Sequence, residues 1–266
     1  MSEPFIRPCK VADPSVRLVA VHHAGGSAAA YFPISRSLPP DWDLLLPDLP
    51  GRGLRHTHEQ SGDVKAMAAV LAADLLPWAN RDVPLALFGH SLGAVVAFEA
   101  ARVLEAARAR VLWVGVSGSV SPDQRAKAPS PDRELSDAEL LTELDGMGGM
   151  HRRMRDSPRV LQRFLSLTRD DLRALSRYRP DPDRTPLAAP MTAFGAVDDV
   201  WASPAAMTTW SRETRSRFRQ RTFTGGHFYL FGAGFPRIAA EIVREVEYST
   251  VARECSRDAM TAFLSG

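Results

Sequence analysis

Cysteine is scarce in this chain. There are two in 266 residues, Cys9 and Cys255, close to opposite ends. They make neither a metal-ligand spacing nor a disulfide framework, and a reducing cytosol suits them. A dominant charge is lacking too. Lys and Arg number 33 and Asp and Glu 31, a net charge of +2, which gives no electrostatic case for nucleic acid. No apolar run approaches the roughly 20 residues that cross a bilayer. Met1-Ser2-Glu3-Pro4-Phe5 lacks the basic segment and apolar run of a signal peptide. Internal repeats and low-complexity tracts are absent. These absences lead us to expect a cytoplasmic protein with no membrane or nucleic-acid partner. With no heptad and no long apolar edge, a monomer is expected. Hydrophobic content of 45% and charged content of 24% are ordinary for a globular chain. The length allows one large α/β domain with a full core, and we take 1–266 as that single domain.

What the chain does have is centred on Leu85-Ala86-Leu87-Phe88-Gly89-His90-Ser91-Leu92-Gly93-Ala94. An apolar strand runs into Gly-x-Ser-x-Gly, and a helix-forming run, Ala94 to Ala101, follows. This is the pattern of a nucleophile elbow. The serine must sit on a turn tight enough to lift its hydroxyl above the sheet. Glycines two residues before and two after it let strand and helix approach. Ser91 is therefore the candidate nucleophile.

Continuous apolar strands are expected at Arg17–Ala24, Trp42–Asp48, Pro84–Gly89, Val111–Val116 and Pro190–Gly195, with an alternating strand at Phe218–Phe223. Helical spacing marks Val64–Trp78, through Met67, Val70, Leu71 and Leu75, then Leu92–Ala107 and Phe235–Tyr248. The last 18 residues read as a short peripheral helix or a loose tail. Buried strands separated by helices argue a mainly parallel sheet flanked by helices. Ala24-Gly25-Gly26 ends the first strand. In an α/β hydrolase the oxyanion donors are an N–H from such an early loop and the N–H after the nucleophile, here those of Ala24 and Leu92. His22 and His23 are given no chemical role, and His56, His58 and His151 read as surface residues. Gly51-Arg52-Gly53 lacks the Lys-Ser/Thr of a phosphate loop and reads as a turn beside the active-site mouth.

From about 120 to 185 the chain is rich in Arg, Asp, Pro and Ser and shows helical patches but no strand. Asp137–Leu144 is one patch. Ser157-Pro158 reads as an N-cap with Pro at the first helical position. Such an insertion is where α/β hydrolases carry a helical lid. The run Arg152, Arg153, Arg155, Arg159, Arg163 fits either a solvated face or a surface for an acidic partner. After the fifth strand, Asp198 and Asp199 both qualify as the acid that fixes a histidine tautomer. His227, on the Gly-rich loop after the last strand, is the candidate base. Ser, Asp, His is the α/β-hydrolase order.

His23-Ala24-Gly25-Gly26-Ser27-Ala28, Leu49-Pro50-Gly51-Arg52-Gly53, Gly89-His90-Ser91-Leu92-Gly93-Ala94, Thr192-Ala193-Phe194-Gly195 with Asp198, and Gly225-Gly226-His227-Phe228-Tyr229-Leu230 together resemble the type II thioesterases. These are free-standing α/β hydrolases that serve polyketide and nonribosomal peptide synthases. The resemblance implies an α/β-hydrolase fold with a helical lid. It implies Ser91 as nucleophile, Asp198 as acid, His227 as base, and the Ala24 and Leu92 N–H groups as oxyanion donors. Asp199 stands where the family often has Pro. The implied reaction removes stalled or aberrant acyl groups from the phosphopantetheine arm of an acyl or peptidyl carrier protein through an acyl-serine. No metal or cofactor is implied, since the arm arrives as part of the substrate. The competing readings are a small-molecule carboxylesterase and a non-catalytic binding protein on the same fold.

Overall fold

The computed structural model describes residues 3–79, 82–127, 135–147 and 157–265. Seven strands form one sheet: β1 Phe5–Ile6, β2 Val16–Val21, β3 Trp42–Pro47, β4 Leu85–His90, β5 Val111–Ser117, β6 Met191–Ala196 and β7 Phe218–Phe223. Their spatial order is β1-β3-β2-β4-β5-β6-β7. β1 is antiparallel to β3, and every other pairing is parallel. The helices are α1 Val64–Leu75, α2 Leu92–Ala106, α3 Pro122–Lys127, α4 Asp137–Gly146, α5 Pro158–Arg177, α6 Pro204–Met207 and α7 Phe235–Ser265. The expected mainly parallel α/β sheet is what forms.

Successive strand side chains point to opposite faces, and the core divides accordingly. Val19, Val21, Leu85 and Leu87 pack with Met67, Leu71 and Leu75 of α1 and Val95 and Phe98 of α2. Leu18, Ala20, Ala86 and Phe88 face the other way, onto Ile238, Ile242 and Val246 of α7 and Tyr31 and Ile34. Both faces are covered, which is why the central strands read as continuous apolar runs rather than alternating ones. Asp63 caps α1 through the N–H groups of Lys65 and Ala66.

Several boundaries differ from expectation. β2 ends at Val21, so His22, His23 and Ala24 lie on the loop beyond it. Val70 is exposed rather than on the packed face of α1. β1 and the 3-10 stretch Ala28–Ser37 carried no periodic signal. α7 does not stop at Tyr248 but runs on to Ser265. Residues 249–265 contain no Gly or Pro to end it.

The described part of 120–185 holds α3, α4 and α5 and no strand. Ser136 and Glu139 close a capping box at the start of α4. Ser157 and Pro158 start α5 as expected, although the Ser157 side chain makes no capping hydrogen bond. α5 is divided in its packing. Phe164 and Leu165 join Leu140 and Leu144 of α4 in a small separate cluster. Ala174, Leu175 and Tyr178 belong to the main core. The segment thus joins the main core at one end, while at the other its apolar side chains pack separately and Arg163 donates to the Gly51 carbonyl at 2.5 Å. Gly148, Gly149, Met150, His151, Arg152, Arg153 and Arg155 lie outside the described residues.

Candidate active site

Ser91 sits between β4 and α2 with φ 56° and ψ −117°. A non-glycine residue held there costs about 1–3 kcal/mol, a strain typical of functional turns. Its surroundings enforce the conformation. A Cβ on Gly89 would lie 2.0 Å from the Gly93 carbonyl oxygen, and one on Gly93 would lie 2.3 Å from that of Val21. The Ser91 N–H donates to the Ser117 carbonyl at the end of β5, at 2.8 Å.

His227 lies on the loop after β7. Its Nδ1 is 2.9 Å from Oδ2 of Asp199, and both side chains are buried. The carboxylate partner is therefore Asp199 and not Asp198. The expectation of Asp198 fails for a geometric reason. The chain turns immediately after β6, with the Asp199 N–H donating to the Ala196 carbonyl at 3.3 Å. That turn carries Asp199 inward and leaves Asp198 exposed, with its backbone N–H bonded to the Gly225 carbonyl. Oδ1 of Asp199 accepts from the Trp201 and Ala202 N–H groups at 2.9 and 3.1 Å. Burial pushes the Asp199 carboxyl up. The hydrogen bond and charge of His227, with those two N–H groups, outweigh burial and hold it below the ordinary carboxylate value. An ionised Asp199 accepts the Nδ1 proton and leaves Nε2 of His227 free as a base.

Ser91, His227, Ala24 and Trp201 line one cavity with Leu144 and Met147 from the α4 end and Thr168 and Leu172 from α5. Its volume is about 10 Å³, room for about one water. Ala24 and Leu92 are buried residues, and the backbone N–H of neither has an acceptor among the described residues. Unpaired buried N–H groups are rare; two beside a candidate nucleophile suit an oxyanion.

The thioesterase-domain family model matches residues 16–246. The chain belongs to the thioesterase family. This thioesterase is 35% identical over 219 residues to thioesterase PikA5 of Streptomyces venezuelae, covering 81% of this chain and 76% of that protein. Among solved structures it is similar to RedJ, the thioesterase of the prodiginine pathway in Streptomyces coelicolor. That match has a TM-score of 0.81 and 32% identity and covers 90% of this chain and 94% of RedJ. It is also similar to BorB, the type II thioesterase of the borrelidin cluster, with TM-score 0.82, 31% identity and 92% and 98% coverage. The fold and the activity class expected from the motifs both stand.

Two parts of the thioesterase site went unread in the sequence. The first is a clamp on the oxyanion loop. Asp171 of α5, fully buried, accepts the Gly25 N–H at 2.8 Å. It also takes a bidentate pair from Arg52 at 2.6 and 2.8 Å. Arg52 reaches the Gly26 carbonyl as well, at 3.4 Å. The turn expected beside the mouth thus supplies a buried cation that ties α5 to the loop carrying Ala24.

The second is a set of neutral imidazoles. The Leu49 N–H donates to Nε2 of His22 at 3.2 Å, so the His22 proton resides on Nδ1, which donates to the His23 carbonyl. Burial is the main cause holding both His22 and His23 down to about 3. Burial likewise holds His90 well below its usual value. The His90 ring lies 4.9 Å from that of His227, and its Nδ1 meets Ser117 Oγ at 2.8 Å, which meets Tyr229 OH at 2.7 Å. The neighbours of His227 therefore bring no positive charge to oppose an imidazolium there. His56 and His58 are exposed, as expected.

Proposed function

We propose that this thioesterase hydrolyses acyl groups from the phosphopantetheine arm of carrier proteins, removing aberrant or stalled units in polyketide or nonribosomal peptide synthesis. The single observation that carries the catalytic part is the buried Asp199–His227 hydrogen bond beside the strained Ser91 turn. Nε2 of His227 takes the proton from Ser91 Oγ as that oxygen attacks the thioester carbonyl carbon. The oxyanion forms against the Ala24 and Leu92 N–H groups. The carbon–sulfur bond breaks, and the thiol leaves with the proton returned by His227. Water then enters, loses a proton to Nε2 and attacks the acyl-serine. Collapse releases the carboxylic acid and restores Ser91. Throughout, Asp199 fixes the tautomer and balances the imidazolium charge. α4 and α5 act as the lid, since Leu144, Met147, Thr168 and Leu172 close the space over Ser91.

Intact-mass spectrometry of a carrier protein loaded with acetyl, propionyl or longer acyl groups tests this. Wild-type enzyme is expected to strip the carrier and Ser91→Ala to leave it loaded. Cleavage of simple esters with every carrier untouched would instead make the chain a small-molecule esterase.

A further inference from the structure

A cavity of about 590 Å³ lies away from the chemistry. It opens between the C-terminal end of α2, the first residues of β5, the stretches entering β6 and β7, and α7. β5 runs from Val111 at this cavity to Ser117 at the elbow, so roughly 20 Å of strand separates it from Ser91. It is no part of the acyl site.

Its lining is one-sided in charge. Among the described residues, Arg108, Arg110, Arg215, Arg217 and Arg253 line it with one carboxylate, Glu105. Glu105 is already engaged, accepting the Ala188 and Ala189 N–H groups at 2.9 Å each. Arg217 pairs with Glu245 at 3.2 Å and covers the Tyr248 ring at 3.8 Å, yet its Nη1 is buried without an acceptor among the described residues. The side chains of Arg108, Arg110 and Arg215 make no ion pair among the described residues. With 33 basic and 31 acidic residues overall, this excess is local. Isolated exposed arginines need no explanation. Arginines converging on a concavity of ligand-site size repel one another unless an anion joins them. Arg108 alone could be ascribed to the negative end of the α2 dipole; Arg110 and Arg215 lie outside that helix. All five cations are guanidinium groups, whose planar forks match phosphate oxygens in pairs.

We propose that this cavity binds a small anion bearing a pyrophosphate group, held by Arg110 and Arg215, with Arg108 and Arg217 completing the cage. The proposal is independent of the carrier-protein reading above.

Isothermal titration calorimetry of the full chain with inorganic pyrophosphate, at fixed ionic strength in chloride, tests it. Saturable one-to-one binding is expected, weakened at least tenfold in the Arg110→Ala, Arg215→Ala double variant. Both positions are exposed, and a melting temperature near wild type will show that the double variant is folded. Arg108→Gly provides a second check. Arg108 has φ 61°, which glycine adopts more easily. That variant is expected to melt higher while binding pyrophosphate more weakly, a combination that damage to the fold does not produce. Ser91→Ala should bind as wild type does. The proposal is overturned by no saturable binding at millimolar pyrophosphate, by equal affinity in the double variant, or by loss of binding in Ser91→Ala. Adenosine binding as tightly as ATP would overturn it too, because recognition would then not run through phosphate.

Discussion

At Asp198 and Asp199 a single peptide unit separates solvent from a buried imidazole. Which carboxylate turns inward is set by the hydrogen bond from Asp199 N–H to the Ala196 carbonyl, a choice that Gly195-Ala196-Val197-Asp198-Asp199 does not announce. Asp199→Asn is expected to lower kcat by a factor on the order of 10³–10⁴, because the wrong histidine tautomer is then favoured. Asp198→Asn should stay within about twofold of wild type, as for an exposed substitution away from the chemistry. Steady-state hydrolysis of an acyl thioester by the two variants checks both, and a large loss in Asp198→Asn alone would reverse the assignment. Ser91 and His227 were legible because each came with its backbone context: the glycines and strand around one, the Gly-rich loop after a strand around the other. The acid came with two equivalent side chains and no such context.

The elements were mostly legible, because apolar runs and helical spacing report burial directly. What joins one element to another was not. Arg52 and Asp171 are 119 residues apart, and neither position has a local pattern that names the other. Their pair makes α5 a support for the oxyanion loop as well as a cover. Asp171→Ala would leave the Arg52 guanidinium buried without its partner and the Gly25 N–H without an acceptor. Breaking such a pair costs about 3–5 kcal/mol. The expected result is a lower midpoint in denaturant unfolding. A fall in kcat of more than tenfold should persist where the variant is still folded. Unchanged turnover in folded Asp171→Ala would show that Ala24 holds its position without the clamp. β1, with two residues, is too short to show a period, and the 3-10 stretch Ala28–Ser37 contains Pro33 and buries Ala28, Tyr31 and Ile34, a spacing of three that fits neither the α-helical nor the strand template.

On the scale of the whole molecule, buried histidines make stability depend on pH. His22 and His23 stay neutral in the native protein down to about 3, whereas in the unfolded chain they take up protons near 6.5. The unfolded state therefore binds more protons between those values. The stability these residues allow is fully present above about pH 6.5 and is lost as pH falls. Each costs about 1.4 kcal/mol per pH unit in that window, so the two together remove about 4 kcal/mol by pH 5. That is a large share of the roughly 5–15 kcal/mol of a typical domain. Thermal melts at pH 7.5 and pH 5 are expected to show a clear fall in Tm. A flat profile would mean that these imidazoles are already charged in the fold. The parallel sheet as a whole could be read from its doubly buried strands, while the strand order β1-β3-β2-β4-β5-β6-β7 could not, since sequence does not say which strands become neighbours.

The space beside Ser91 and His227, about 10 Å³, holds about one water. Even an acetyl group is larger than that. Acylation of Ser91 therefore requires side chains over the serine to move aside, and Leu144, Met147, Thr168 and Leu172 line that space. The same helices that cover the serine at rest must yield each time an acyl group enters.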